Sequence, residues 1–166
     1  MSNLPIIFFD EESSSTAIPH TPRSVRVSIW TCRVCFAIVF VVNVQCALGY
    51  AINPAVFMAG FQLGDFQGAV AVQGLGIAFL MWNATYPAFI VNPQRFKVLG
   101  VVILIQQVIG LIGESAIYFS LPAAGFAQLA QSIERFIAFD ALGLVLMAAS
   151  FCIMCLVAKK RDRTKR

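Results

Sequence analysis

The sequence predicts an all-α integral membrane protein: an antiparallel bundle of four transmembrane helices with both termini in the cytoplasm. Three observations predict it. Of 166 residues, 59% are apolar and only 12% are charged, with a mean hydropathy of +0.81; a soluble domain carries about 25% charged residues. Four stretches each supply the ~20 mostly apolar residues that a helix needs to cross the hydrocarbon core. Lys and Arg gather at alternate ends of those stretches, and short loops rich in them stay cytoplasmic.

The elements follow in order. Residues 1–26 read as a disordered cytoplasmic tail, Ser-rich and acidic at Asp10, Glu11 and Glu12. They lack the basic start and long apolar core of a signal peptide. The first span, 27–51, follows Arg23 and Arg26. The connection after it, 52–68, has no Lys or Arg and carries Gly60, Gly64 and Gly68 at four-residue spacing. It reads either as a short helix at the outer leaflet or as a Gly-rich loop. The second span, 69–91, contains Pro87, which ends or kinks a helix, and Asn92-Pro93 stops it. Arg95 and Lys97 hold the next turn inside, ahead of the third span, 98–120. The connection 121–132 again lacks basic residues. The fourth span, 133–157, leads into a polybasic cytoplasmic tail, 158–166. Trp30, Trp82, Tyr86 and Tyr118 fall near span ends, where amphipathic rings favour the headgroup layer. No length remains for a second domain.

In lipid, small and polar residues turn toward other helices. Each span carries one such stripe at helical spacing. The first has Arg33, Phe36, Phe40, Asn43, Ala47 and Tyr50; the second has Gln73, Gly76, Leu80, Asn83 and Pro87. The third has Gly100, Ile103, Gln107, Gly110 and Glu114, and the fourth Ile133, Phe136, Asp140, Gly143 and Met147. The bundle interior is therefore partly polar.

Its polar members make the candidate ligand pocket: Glu114, Asp140, Arg135, Gln73, Gln107, Gln45 and Asn83. At ~1.5 Å rise per residue, Glu114, Asp140, Gln73 and Gln45 lie roughly 6–11 Å below the outer surface. Charges at such depth need partners or water. Arg135 is placed to pair with Glu114 on the neighbouring helix, and poorly placed for Asp140 on its own. The group is either a cavity open to the outside or a structural salt-bridge and hydrogen-bond cluster. Glu134, near the span edge, reads as a solvated flank.

Five cysteines include two Cys-x-x-Cys pairs, Cys32/Cys35 and Cys152/Cys155, with Cys46 left over. Facing pairs offer four soft metal ligands, or one redox dithiol. Against both stands the ordinary use of Cys as a small apolar residue in buried helices, and no metal is expected. No cofactor is expected either: His20 is alone, and there is no Ser/His/Asp set, Walker loop or HExxH. The net charge of +4 does not imply nucleic acid as a partner. Six of the twelve basic residues fall in the last eight positions, and no base-reading module is present. That basic end suits anionic lipid headgroups, and it also enforces topology.

The run Gly74-Leu75-Gly76-Ile77-Ala78-Phe79-Leu80 is followed by a polar loop with Pro93 and Arg95. A Gly-rich third helix then ends Gly110-Leu111-Ile112-Gly113-Glu114. From the second to the fourth span, this pattern resembles the DoxX-like superfamily. The resemblance implies a small four-helix bacterial inner-membrane protein, from a group with some members linked to redox metabolism. Glu114 stands where the pattern leads one to expect a basic residue.

The leading expectation is a small non-enzymatic protein that binds or moves a small polar or amphipathic ligand through an outward-facing polar pocket. The alternatives are an accessory subunit, whose polar faces meet partner helices in a homo-oligomer or membrane complex, and a component of a membrane oxidoreductase.

Overall fold

The computed structural model describes residues 23–122 and 124–164, and every regular element among them is helical. In chain order these are α1 (Arg23–Ile52), α2 (Pro54–Met58), a 3-10 turn (Ala59–Phe61), α3 (Asp65–Asn83), α4 (Tyr86–Val91), α5 (Lys97–Ser120) and α6 (Ala127–Thr164). Four stretches, Arg23–Ile52, Asp65–Val91, Lys97–Ser120 and Ala127–Arg161, are long and apolar enough to cross a membrane. They contain the spans expected at 27–51, 69–91, 98–120 and 133–157.

The helices overrun those spans because apolarity ends before helix propensity does. Lys and Arg are good helix formers, and Arg161 and Arg163 in the last turn of α6 favour the negative end of its dipole. Most of the expected tail at 158–166 is thus the end of α6. Likewise the expected disordered tail 1–26 is helical from Arg23; its remainder lies outside the described residues.

The second span is two helices. Pro87 lies in the first turn of α4. In a continuous helix its ring would clash with the carbonyl four residues back, that of Asn83, where α3 ends. Asn83 instead turns its amide onto Phe79 O at 2.8 Å, and Asn92 Oδ1 accepts from Arg95 N at 3.1 Å to turn the chain into α5. The connection 52–68 is helical in its first half, irregular over Gln62–Gly64, where Gln62 takes a left-handed φ of 53°, and ends as the start of α3.

Packing runs α3 on α1, α1 on α6 and α6 on α5, and α4 bridges α1 and α5. Glycines set the close approaches. A methyl group built at Gly76 would lie 2.7 Å from Ala47 O and 2.6 Å from Ala51 N, so α3 meets the α1 backbone directly. At Gly100 it would lie 2.5 Å from the Phe89 ring and 2.7 Å from Phe151. Those rings belong to an aromatic core with Phe36, Phe40 and Tyr86: Phe36 and Phe89 have centroids 4.4 Å apart, and Phe40 stacks on Tyr86 at 5.7 Å. Arg33 Nη2 donates to Val91 O and ties α4 to α1. Tyr86 is fully buried in this core, not in a headgroup layer as its place near the span end suggested. A ring with aromatic neighbours on α1 gains more by stacking than by facing lipid.

Candidate functional site

Beyond the aromatic core, α1, α3, α5 and α6 diverge around a cavity of about 420 Å³, with α2 and the 3-10 turn against it. Among the described residues α3 and α5 do not pack along one another, and the space follows from that separation. Its lining is polar at Asn43, Asn83, Gln107, Glu114, Ser132 and Asp140 and aromatic at Tyr50, Phe57, Phe61, Trp82, Phe136 and Phe139.

The α5 stripe positions the polar part of the lining. Gln107 is buried, and its Nε2 donates to Asp140 Oδ1 at 2.7 Å. One turn on, Gly110 leaves room for that carboxylate: a methyl group there would come within 2.8 Å of Asp140 Oδ2 and 3.5 Å of the Trp82 ring. A turn further, Glu114 enters the cavity, close enough to Asp140 for the two to interact electrostatically. Its Oε2 is buried with no hydrogen-bond partner. Asn83 is 4% exposed, and with its amide given to Phe79 O, its Oδ1 also has no partner.

The chain segment 54–62 is fastened over this space at both ends. Phe57 packs on Gly49, where a methyl group would lie 3.0 Å from Cζ, and against the Tyr50 ring at 4.8 Å. Ser132 Oγ donates to Gly60 O at 2.7 Å. Gln62 joins the start of α6 in both directions, donating from Nε2 to Gly125 O at 2.8 Å and accepting from Leu129 N at 3.1 Å. Phe61 consequently stacks on Phe136 with centroids 6.3 Å apart.

Of the residues expected in the pocket, Glu114, Asp140, Arg135, Gln107 and Asn83 line one cavity. Arg135 is exposed, and the expected pairing is not made at Glu114 Oε2. Gln45 and Gln73 do not line it. Gln45 is exposed on α1; Gln73 is exposed on α3 and donates to Ala51 O at 3.0 Å, tying α3 to the end of α1. Both depths fit the pocket level, but helix azimuth decides which side chains enter. Trp82 lines the cavity instead of anchoring a span end.

Of the cysteine pairs only Cys155 comes near Cys32, against the aromatic core, and Cys152 stands apart from them. Cys32 and Cys35 are buried, Cys155 is half-buried and Cys152 is exposed. Among the described residues no three metal-ligating side chains come together. Cys46, the unpaired one, lines the cavity.

The aromatic part of the lining was what sequence reasoning missed. Tyr50 and Phe136 lie on the interior stripes, yet nothing local marks Phe57 and Phe61, which come from the connection and face inward only through contacts with α1 and α6. Set against protein-family models, curated proteins and solved structures, the chain matches none of them.

Proposed function

We propose that this chain is a small non-enzymatic integral membrane protein whose cavity binds or moves a small polar or amphipathic ligand from the outer side. In this reading the four spans are antiparallel in a bacterial inner membrane, consistent with the resemblance to DoxX-like proteins. Both termini are cytoplasmic, and the basic end of α6 rests on anionic lipid. The Lys- and Arg-free connections 52–68 and 121–132 support that orientation, and the segment 54–61 against the cavity comes from one of them.

The observation that carries the reading is a ligand-sized space with aromatic rings in its lining and two unmatched polar atoms, Glu114 Oε2 and Asn83 Oδ1, buried in that lining. A buried polar atom left without a partner costs about 1–3 kcal/mol. Two of them in one cavity of ligand size favour a site completed from outside the chain over a structural cluster, which would be satisfied internally.

Native mass spectrometry of protein extracted in mild detergent tests this. The expected result is a small-molecule adduct on the wild type that is lost in Glu114→Gln while the variant stays folded. A bare wild-type chain that binds no small molecule would overturn the reading.

A further inference from the structure

The hydrogen-bonding atoms around the cavity are unevenly spent, and this names the ligand class; the argument rests on the proposed ligand-site reading. Three donors on the lining are committed. Gln107 Nε2 serves Asp140 Oδ1, Asn83 Nδ2 serves Phe79 O, and Ser132 Oγ donates to Gly60 O. Asn43 sits beside the Tyr86 hydroxyl, which is buried without a partner and is not part of the lining. The acceptors are not committed: Glu114 Oε2 and Asn83 Oδ1 have no partner. Asp140 uses Oδ1 for Gln107 and holds Oδ2 in the notch at Gly110.

A ligand that donates complements those two oxygens. Two carboxyl groups on the lining favour a positive charge over a neutral donor. Arg135, the basic residue on the lining, is exposed and does not reach Glu114 Oε2. The aromatic part of the lining fits the same ligand. Trp82, Tyr50 and the phenylalanines present ring faces and edges that hold a flat or aliphatic body, and ring faces attract a cation within about 6 Å. A quaternary ammonium would satisfy the rings but has no N–H for the two unmatched oxygens.

We propose that the cavity takes a primary or secondary ammonium cation with an aromatic or short aliphatic body. Its ammonium lies among Glu114, Asp140 and Asn83, and its body lies against the aromatic rings. Asp140 sets the charge of the pocket, and Gln107 holds it in place.

Four probes of similar size tested by calorimetry on the detergent-solubilised full chain separate the possibilities: phenethylamine, 2-phenylethanol, phenylacetate and trimethyl(phenethyl)ammonium. Phenethylamine should bind most tightly, with the trimethylated cation and the alcohol each weaker by about tenfold or more and phenylacetate weakest. Glu114→Gln and Asn83→Leu should each weaken phenethylamine by about tenfold, while affecting 2-phenylethanol less. Asn83→Leu keeps the test available if Glu114→Gln does not fold. Equal binding of ammonium and alcohol, tighter binding of phenylacetate, or unchanged affinity in the folded variants would overturn the inference. If none of the four binds while native mass spectrometry shows a cavity ligand of another class, the ammonium inference fails and the proposed function stands. If no probe and no native ligand binds, both fail.

Discussion

At Gly110 one missing methyl group decides the geometry of the polar lining. Asp140 Oδ2 lies only 2.8 Å from where a Cβ would be, and Asp140 Oδ1 is held by Gln107. Gly110→Ala should therefore push Asp140 off its hydrogen bond and destabilise the bundle by about 1–3 kcal/mol, read as a lower melting temperature in detergent. Gly113, three residues on in the same helix, has nothing within 4 Å of its hypothetical Cβ. Gly113→Ala should be neutral or stabilising by up to about 1 kcal/mol, because Ala is the better helix former. Equal effects of the two changes would show that the Gly110 notch is not occupied by Asp140. This lining was legible in the sequence because Gln107, Gly110 and Glu114 share one stripe of one helix and Asp140 marks the facing stripe. The partner of Glu114 was not legible: depth alone suggested Arg135, whereas Arg135 is exposed and Glu114 Oε2 stays unmatched.

Among the elements, the long helices follow from apolar length, and the break between α3 and α4 follows from Pro87. Their true ends do not, since Lys, Arg and Gln continue a helix that hydropathy no longer marks. The segment 54–62 is the least legible element. Its cross-links, Gln62 to Gly125 and Leu129 and Ser132 to Gly60, join residues more than sixty positions apart and leave no periodic trace. Gln62→Ala removes both bonds at the start of α6 and should raise amide hydrogen exchange at residues 59–63 and 127–130 by about tenfold, given roughly 1 kcal/mol per lost bond. Exchange in the middle of α1 and α5 should not change. If protection at 59–63 persists in the variant, the ring contacts of Phe57 and Phe61 alone fasten the segment.

For the whole molecule, a tightly packed aromatic core and a polar cavity lie at successive levels of one bundle. The core level explains why cysteines are tolerated: Cys32 and Cys35 pack there as small apolar groups, and Cys152 is exposed. Replacing Cys32, Cys35, Cys152 and Cys155 together by Ala should leave the fold intact at a cost of about 1–2 kcal/mol. Loss of a bound metal, or collapse of the chain, would contradict that account. The same variant keeps Cys46, which lines the cavity, as its single cysteine, and it allows the proposed outward opening of the cavity to be tested directly. A small membrane-impermeant methanethiosulfonate, applied to intact cells expressing this variant, should modify Cys46 from the outside, and phenethylamine should slow the reaction. Modification that needs access from the cytoplasmic side, or none from either side, would contradict an outward-facing ligand cavity.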